Sequence, residues 1–160
     1  MSSLLPVCTT TRVLAAGSLL TLVIACGAGA VEVPVPSPGA AAVRQCRTLR
    51  DRLPGKLHDL SRRTTSPASD LVTAWGSPAI ALRCGVTPPA ALHPTSELAV
   101  INGISWLPVP PDRPVTFTAV GREAYVEVTV PEKYAPPGDV LIELAGPIKA
   151  SIPANSDGSL

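Results

Sequence analysis

Cys26 ends an uncharged, mostly apolar run, and its position predicts a covalent modification. Residues 23–26, VIAC, match a lipobox, in which an aliphatic residue and then a small residue precede a cysteine. The signal peptidase for lipoproteins needs the small residue beside the cut and a thiol that has accepted diacylglycerol. The short basic start of the chain and the apolar run after Arg12 are typical of an export signal. We therefore expect Cys26 to be lipidated and to begin the mature chain.

The same segment permits two other outcomes. Residues 28–30, AGA, match the A-x-A site of ordinary signal peptidase, and cleavage after Ala30 would release the protein in secreted form. No charge interrupts residues 13–31, and about 20 apolar residues are enough to span a bilayer. An uncleaved anchor is then the third outcome. Residues 1–25 are assigned to a signal peptide or membrane anchor, and all three outcomes place the domain outside the cytoplasm.

Cys46 and Cys84 form an even pair in the exported part of the chain. Cys8 lies in the segment that export would remove, and Cys26 is taken by the lipid. Disulfides form and persist outside the cytoplasm. A metal or redox site is the competing interpretation, but the sequence has no C-x-x-C, and neither His58 nor His93 has a second ligand beside it. The sequence predicts a Cys46–Cys84 disulfide, no metal and no cofactor.

Candidate catalytic groups are isolated. The mature region has no G-x-S-x-G, S-x-x-K or H-E-x-x-H motif for a hydrolase. His58 and His93 are single histidines in loop-like sequence. Glu123 and Glu127 make a conceivable carboxylate pair, but glycosidase carboxylates must face each other across a cleft. A non-enzymatic role is therefore favoured, and no catalytic residue is assigned.

Basic residues concentrate directly after the N-terminal segment. Of the 13 Lys and Arg residues only Arg12 precedes Cys26, so the remainder balances 12 bases against 12 acids, which gives no overall field for nucleic acid. Residues 44–63, however, hold seven bases and two acids. This stretch is either a solvated, salt-bridged face or a contact for anionic lipid or wall polymers. The residues assigned to such a surface or partner contact are Arg44, Arg47, Arg50, Arg62 and Arg63.

The elements that position these residues indicate an α+β domain. Prolines 34, 36 and 38 make residues 26–39 an extended linker. Residues 40–53 place Val43, Cys46, Leu49 and Leu53 at helical spacing, and Pro54-Gly55 ends that helix. The disulfide would join this helix to a strand ending at Cys84.

Strands follow, with turns at Gly76-Ser77-Pro78, at Asn102-Gly103 and at Gly121-Arg122. Alternation places Val126 and Val128 on one face of the last strand and Glu127 on the other. Arg83 is expected to point outward or to pair with an acid such as Glu127. Trp75 and Trp106 lie in apolar strands and are expected in the core.

We expect an antiparallel sheet of about four to five strands. Asp139 is expected to cap a short final helix, which Gly146-Pro147 would shorten or break. The domain is predicted to span residues 40–152, with a disordered tail at 153–160.

Four segments carry a family resemblance: AWGSPAIALRCGV (74–86), CRTLRDRLP (46–54), NGISW (102–106) and GREAYVEVTVPEKY (121–134). They resemble an actinobacterial exported family known as domain of unknown function 3515, across most of the mature chain. The family pattern has a cysteine at the positions of Cys46 and Cys84, which supports their pairing. Members resemble lipid-anchored or membrane-anchored envelope proteins, and the resemblance supplies no catalytic residue.

These observations predict a binding or accessory lipoprotein on the outer face of the cell membrane. Its partners would be the membrane, through the N-terminal anchor, and an envelope protein or wall component. Genes of the family often lie near one for D-alanine–D-alanine ligase, so an accessory factor or enzyme of peptidoglycan metabolism is the alternative.

Overall fold

Alternating apolar residues and tight turns build this chain mainly from strands. The computed structural model describes residues 29–113 and 115–160. The predicted lipidation site, Cys26, lies outside these described residues. In chain order the elements are β1 (Val31–Glu32), α1 (Ala40–Arg52), β2 (Lys56–Leu57), β3 (Leu60–Arg63), β4 (Thr65–Ser66), β5 (Val72–Trp75), β6 (Ile80–Val86), β7 (Ala99–Ile101), β8 (Ile104–Val109), β9 (Thr116–Val120), β10 (Tyr125–Thr129), a 3₁₀ turn (Glu132–Tyr134) and α2 (Gly138–Ser151).

Eight of the strands form one antiparallel sheet in the order β2-β3-β5-β6-β10-β9-β8-β7. Two meanders, β2-β3-β5-β6 and β7-β8-β9-β10, meet where β6 pairs with β10. The predicted α+β class and antiparallel pairing are confirmed, but the predicted number of strands, four to five, was wrong. The strands β2 and β3 lie in the basic stretch, where short length and charged residues leave no alternating pattern to recognise.

The predicted turns and alternation position the central strands. Asn102 and Gly103 join β7 to β8 with φ values of 49° and 73°. Positive φ at both central residues is what a type I′ hairpin turn requires. Along β10, Val126 and Val128 are fully buried, whereas Tyr125 and Glu127 are half-buried on the opposite face.

Both helices cover one face of the sheet and enclose the core. Cys46 and Leu49 are the buried residues of α1, which confirms the helix predicted from their spacing. Trp75 and Trp106 have no exposed surface, so their prediction as core residues is also confirmed. The helix α1 contacts α2 and β6, and α2 contacts β7. The arginines of α1 are exposed on the side away from this core.

The final helix differs from the prediction. Pro137 precedes α2 and no side chain caps it; Asp139 lies within its first turn. The helix continues through Pro147 to Ser151. Proline in a helix interior costs about 3 kcal/mol. Burial of Leu144 and Ile148 against the sheet on either side of Pro147 offsets that cost.

The segment after Gly29 lies on the other face of the sheet, away from the helices. The strand β1 pairs in parallel with β4, and Val33 is buried. Further along, Pro38 packs on Gly85 of β6. From Gly29 onward, the residues interpreted as a linker thus make specific contacts with the domain.

Residues after α2 return to the β9–β10 turn. The guanidinium of Arg122, which is buried, donates from Nη1 to the carbonyl of Ile152 at the end of α2, and burial lowers its pKa. The N–H of Asn155 donates to the Gly121 carbonyl at 3.1 Å. The Tyr125 hydroxyl donates to the Leu160 carbonyl at 2.7 Å. The segment predicted as a disordered tail therefore makes defined contacts with the sheet.

Candidate functional site

Cys46 of α1 and Cys84 of β6 are joined by a disulfide, with 5.6 Å between their Cα atoms. Both residues are almost completely buried. The bond links the first helix to the central strand of the sheet, as the sequence predicted. The helix α1 contributes residues to two surface features, a cleft and a basic surface, which are described next.

The first feature is a cleft beside the Arg83–Val86 part of β6 and Ala42 of α1, which we call the sheet cleft. Its walls are Pro36–Pro38 and residues 86–90, its far end is formed by residues 123–125, and its volume is about 560 Å³. Gly85 forms part of its floor with φ +83°, and a Cβ there would lie 2.5 Å from Cγ of Pro38. Glycine is therefore required at this position if the N-terminal segment is to form the cleft wall.

An ion pair lines the sheet cleft. Arg83 and Glu127 are neighbours on β6 and β10, and Nη1 of Arg83 donates to Oε1 of Glu127 at 2.8 Å. Nε of Arg83 donates to the carbonyl of Pro34 at 3.0 Å. The side chains are 29% and 22% exposed, so water screens this pair only partly. Of the two outcomes expected for Arg83, the structure shows the pair with Glu127, and the same guanidinium holds the N-terminal segment.

A second carboxylate, Glu123, lies at the far end of the sheet cleft and accepts a hydrogen bond from the side-chain amide of Gln45 on α1. The other amide atom, Oε1 of Gln45, is buried and has no hydrogen-bond partner among the described residues. A buried acceptor without a partner costs free energy. In the cleft itself the exposed carboxylate of Glu123 is the acceptor that a bound molecule can reach.

The second feature is the basic surface, formed by Arg44, Arg47 and Arg50 of α1 with Arg62 and Arg63 of β3. A cavity of about 460 Å³ lies within it, and Arg50, Arg62 and Arg63 are among its lining residues. Asp70 also lines this cavity, and it pairs with Arg47 at 3.4 Å and with Arg50 at 3.2 Å. Arg47, Arg50, Arg62 and Arg63 are thus brought together, and Arg44 is exposed one turn before Arg47 on the same helix. Asp70 carried no sequence signal, because it lies in the loop before β5.

Arg62 is engaged in the fold itself. Its guanidinium donates to the carbonyls of Arg50, Leu53 and Pro54 at the C-terminal end of α1, at 2.6–3.2 Å. Cations are favoured at this end of a helix, where carbonyls lack partners within the helix. Its guanidinium carbon also lies 6.0 Å from the ring centroid of Trp75. Burial lowers the pKa of Arg62, the positive charge of Arg50 lowers it further, and Asp51 opposes the shift.

Arg63 fastens the start of the described chain. Its Nη2 donates to the Gly29 carbonyl at 2.6 Å, and its Nη1 donates to the Gly76 carbonyl at 2.9 Å. The N–H of Val31 donates to the carbonyl of Thr64 at 2.9 Å. The N-terminal segment therefore enters the domain at the edge of the basic surface.

The two histidines contact neighbours in ways that favour a structural role. The N–H of His58 donates to the carboxylate of Glu143, and its ring lies edge-on to Tyr134 with 6.3 Å between centroids. The N–H of His93 donates to the hydroxyl of Ser96 at 2.8 Å, and that hydroxyl donates to the carbonyl of Ala91. These contacts shape the loops after β2 and β6.

Within residues 29–113 and 115–160, no helix is long and apolar enough to cross a membrane. The same residues hold no group of three or more histidine, cysteine or acidic side chains placed to bind a metal.

One protein family matches almost the whole chain. Residues 4–156 match the family described as protein of unknown function (DUF3515). The chain belongs to this family. The resemblance found in its sequence is confirmed at that level. No curated protein and no solved structure matches the chain.

Proposed function

We propose that this DUF3515 protein is an extracytoplasmic, non-enzymatic binding or accessory protein that its N-terminal segment holds on the outer face of the cell membrane. The observation that carries the proposal is the buried Cys46–Cys84 disulfide between α1 and β6. A structural disulfide in a small domain is typical of an oxidising compartment and rare in the cytosol. Export of the chain accounts for that oxidation.

The N-terminal sequence supplies the anchor in this proposal. The lipobox at residues 23–26 provides a thiol for acylation, and Gly29 begins the described domain. One acyl chain gives only reversible membrane binding, whereas two or more anchor a protein stably. Diacylglycerol on Cys26 therefore provides enough apolar surface to retain the domain at the membrane.

The sheet cleft is the proposed site for a protein partner. Glu123 supplies carboxylate acceptors, and the Arg83–Glu127 pair supplies a partly dehydrated charged group. Pro36 and Pro38 make one wall rigid, so little conformational entropy is lost when a ligand binds there. Acceptors beside rigid apolar walls suit an extended polypeptide segment with free N–H donors.

Two measurements on the full chain in its native cells test the proposal. Cys26→Ser should abolish incorporation of labelled acyl groups, and because cleavage at residue 26 needs the acylated thiol, the variant should keep the larger mass of a chain that is not cut there. A photo-crosslinking side chain at Glu123 should capture a discrete partner, and the same side chain at Val100, on the edge strand β7, serves as the matched control. Acyl incorporation that persists in Cys26→Ser, or equal capture from both positions, would contradict the proposal.

A further inference from the structure

We infer that the basic surface lies directly against the anionic lipid headgroups of the membrane that holds the N-terminal anchor. The inference rests on the proposed function, because it needs the anchor at Cys26. It adds an orientation and a second contact: the domain is bound flat to the bilayer through its arginines and is not suspended on a spacer.

The first step is the length of chain between anchor and domain. The sequence alone suggests a spacer of residues 26–39, which at about 3 Å per residue would reach a few nanometres. In the structure the chain is already held at Gly29, whose carbonyl accepts from Arg63. Only three residue steps separate Gly29 from Cys26, and they reach at most about 11 Å. That distance is comparable with the depth of a headgroup layer, so the side of the domain bearing Gly29 must lie at the bilayer surface.

The second step is what surrounds this entry point. Arg63 and Thr64, which hold Gly29 and Val31, also line the cavity of the basic surface. Thr64, Thr65 and Ser69, which carry hydroxyl groups, line the same cavity as Arg50, Arg62 and Arg63. Guanidinium and hydroxyl donors together are the groups that proteins use to bind phosphate oxygens. The chain therefore enters the domain at a surface whose chemistry suits lipid phosphates.

The third step is charge. Five arginines form the basic surface, and the acids associated with them are Asp70, which pairs with Arg47 and Arg50, and Asp51, which acts on Arg62. Arg62 and Arg63 donate to neutral carbonyls, so hydrogen bonding leaves their positive charge uncancelled. The basic surface thus has a surplus of three positive charges, and its Arg63 contacts Gly29, three residues from the expected anchor. A basic surface this close to anionic lipid is attracted to it.

The sheet provides an internal control for orientation. The strand β7 forms the far edge of the sheet and lies six strand spacings from β3 in the sheet order. At about 4.8 Å per spacing, that places β7 roughly 29 Å from β3. Val100 of β7 is 70% exposed, so a probe attached there samples the far side of the domain without disturbing the core.

The experiment uses the full chain with its anchor, purified from its native membrane in a Cys8→Ser background. A fluorescent label is attached at Thr64→Cys or at Val100→Cys, and signal from protein without an added cysteine is subtracted. The protein is reconstituted into vesicles of phosphatidylcholine, alone or mixed with phosphatidylglycerol, that carry a headgroup quencher. We expect the Thr64 label to be quenched several-fold more than the Val100 label when phosphatidylglycerol is present, and salt should reduce the difference.

Charge removal then tests the arginines directly. Each base near an anionic surface contributes roughly a fivefold factor, so Arg44→Gln with Arg47→Gln should weaken the quenched state about twenty-fold. The matched control, Arg113→Gln with Lys149→Gln, removes two charges remote from β3 and should change it little. Equal quenching of the two labels in anchored protein, or quenching that does not depend on phosphatidylglycerol, would overturn the inference. The proposed anchor at Cys26 would be unaffected by either result. Protein that fails to sediment with the vesicles would instead refute the proposed anchor, and the inference with it.

Discussion

Arg63 and Gly29, which are 34 residues apart, are joined by a 2.6 Å hydrogen bond from the guanidinium Nη2 to the backbone carbonyl. The other terminal nitrogen of Arg63 reaches the carbonyl of Gly76 in the β5–β6 turn. One side chain therefore fastens the N-terminal segment to the sheet. Gly29, which lies ahead of the first helix, is thus held on the domain, and any anchor at Cys26 is close to it in sequence.

Replacing Arg63 should release that N-terminal segment. Arg63→Gln loses two hydrogen bonds to backbone carbonyls, each contributing about 1 kcal/mol to the free energy of unfolding. We expect faster amide hydrogen exchange in residues 31–33 and a decrease of about 1–2 kcal/mol in the free energy of unfolding. Arg52→Gln, an exposed change in the last turn of α1, is the control. Identical exchange in the two variants would show that Arg63 does not hold the segment.

A methyl group at Gly85 should displace the same segment at its other end. Its φ of +83° disfavours any side chain, and the added Cβ would overlap Pro38. We expect Gly85→Ala to expose residues 34–38 to protease and to lower the free energy of unfolding by about 1–3 kcal/mol. The matched change Gly146→Ala meets nothing within 4 Å in α2 and should raise it by about 0.5–1 kcal/mol. Unchanged protease resistance in Gly85→Ala would rule out the packing of Pro38 on β6.

Arg62 should matter for stability through the end of α1. Arg62→Ala removes hydrogen bonds to the last carbonyls of the helix and the cation above Trp75. We expect the free energy of unfolding to fall by about 2–3 kcal/mol, with a change in tryptophan fluorescence. Arg44→Ala, near the start of the same helix, should change it by less than about 0.5 kcal/mol. A denaturation midpoint for Arg62→Ala equal to that of Arg44→Ala would contradict the capping role.

The disulfide should account for a large share of the stability. It closes a loop with a sequence separation of 38 residues, for which chain entropy predicts about 4 kcal/mol. The Cys46→Ala/Cys84→Ala variant should therefore unfold at a much lower denaturant concentration than the oxidised protein. Reductant should lower the denaturation midpoint of the oxidised protein and leave that of the variant unchanged. A reductant-independent midpoint for the natural chain would mean that the two thiols are not joined.

Local patterns in the sequence predicted much of this fold. Three patterns were correctly interpreted, because each reflects one local rule. They are the helical spacing of Cys46 and Leu49, the Asn102-Gly103 hairpin turn and the strand alternation around Val126. The same holds for the Arg83–Glu127 pair, since both side chains lie on the polar face of alternating strands. The Cys46–Cys84 bond followed from an even pair of cysteines in a domain that the sequence predicts to be exported.

Features that depend on distant contacts were missed. The strand β3 forms because it pairs with β5, although its own residues, LSRR, show no strand pattern. The segment after Gly29 has the composition of a linker, yet Arg63, Arg83 and Gly85 hold it on the sheet. Pro147 stays within α2 because buried neighbours outweigh its missing N–H. For the site, the sequence identified the arginines, but their shared partner Asp70 and the sheet cleft required the tertiary structure.

The mass of the intact protein from its native membrane tests the central claim most directly: this is an exported, oxidised domain anchored at Cys26. The account predicts a chain that starts at Cys26, carries acyl groups on it, and gains two hydrogens on reduction. The Cys26→Ala variant would locate the lipid, because it has no thiol to acylate. A chain without acyl groups whose Cys46 and Cys84 are both free thiols would contradict the account.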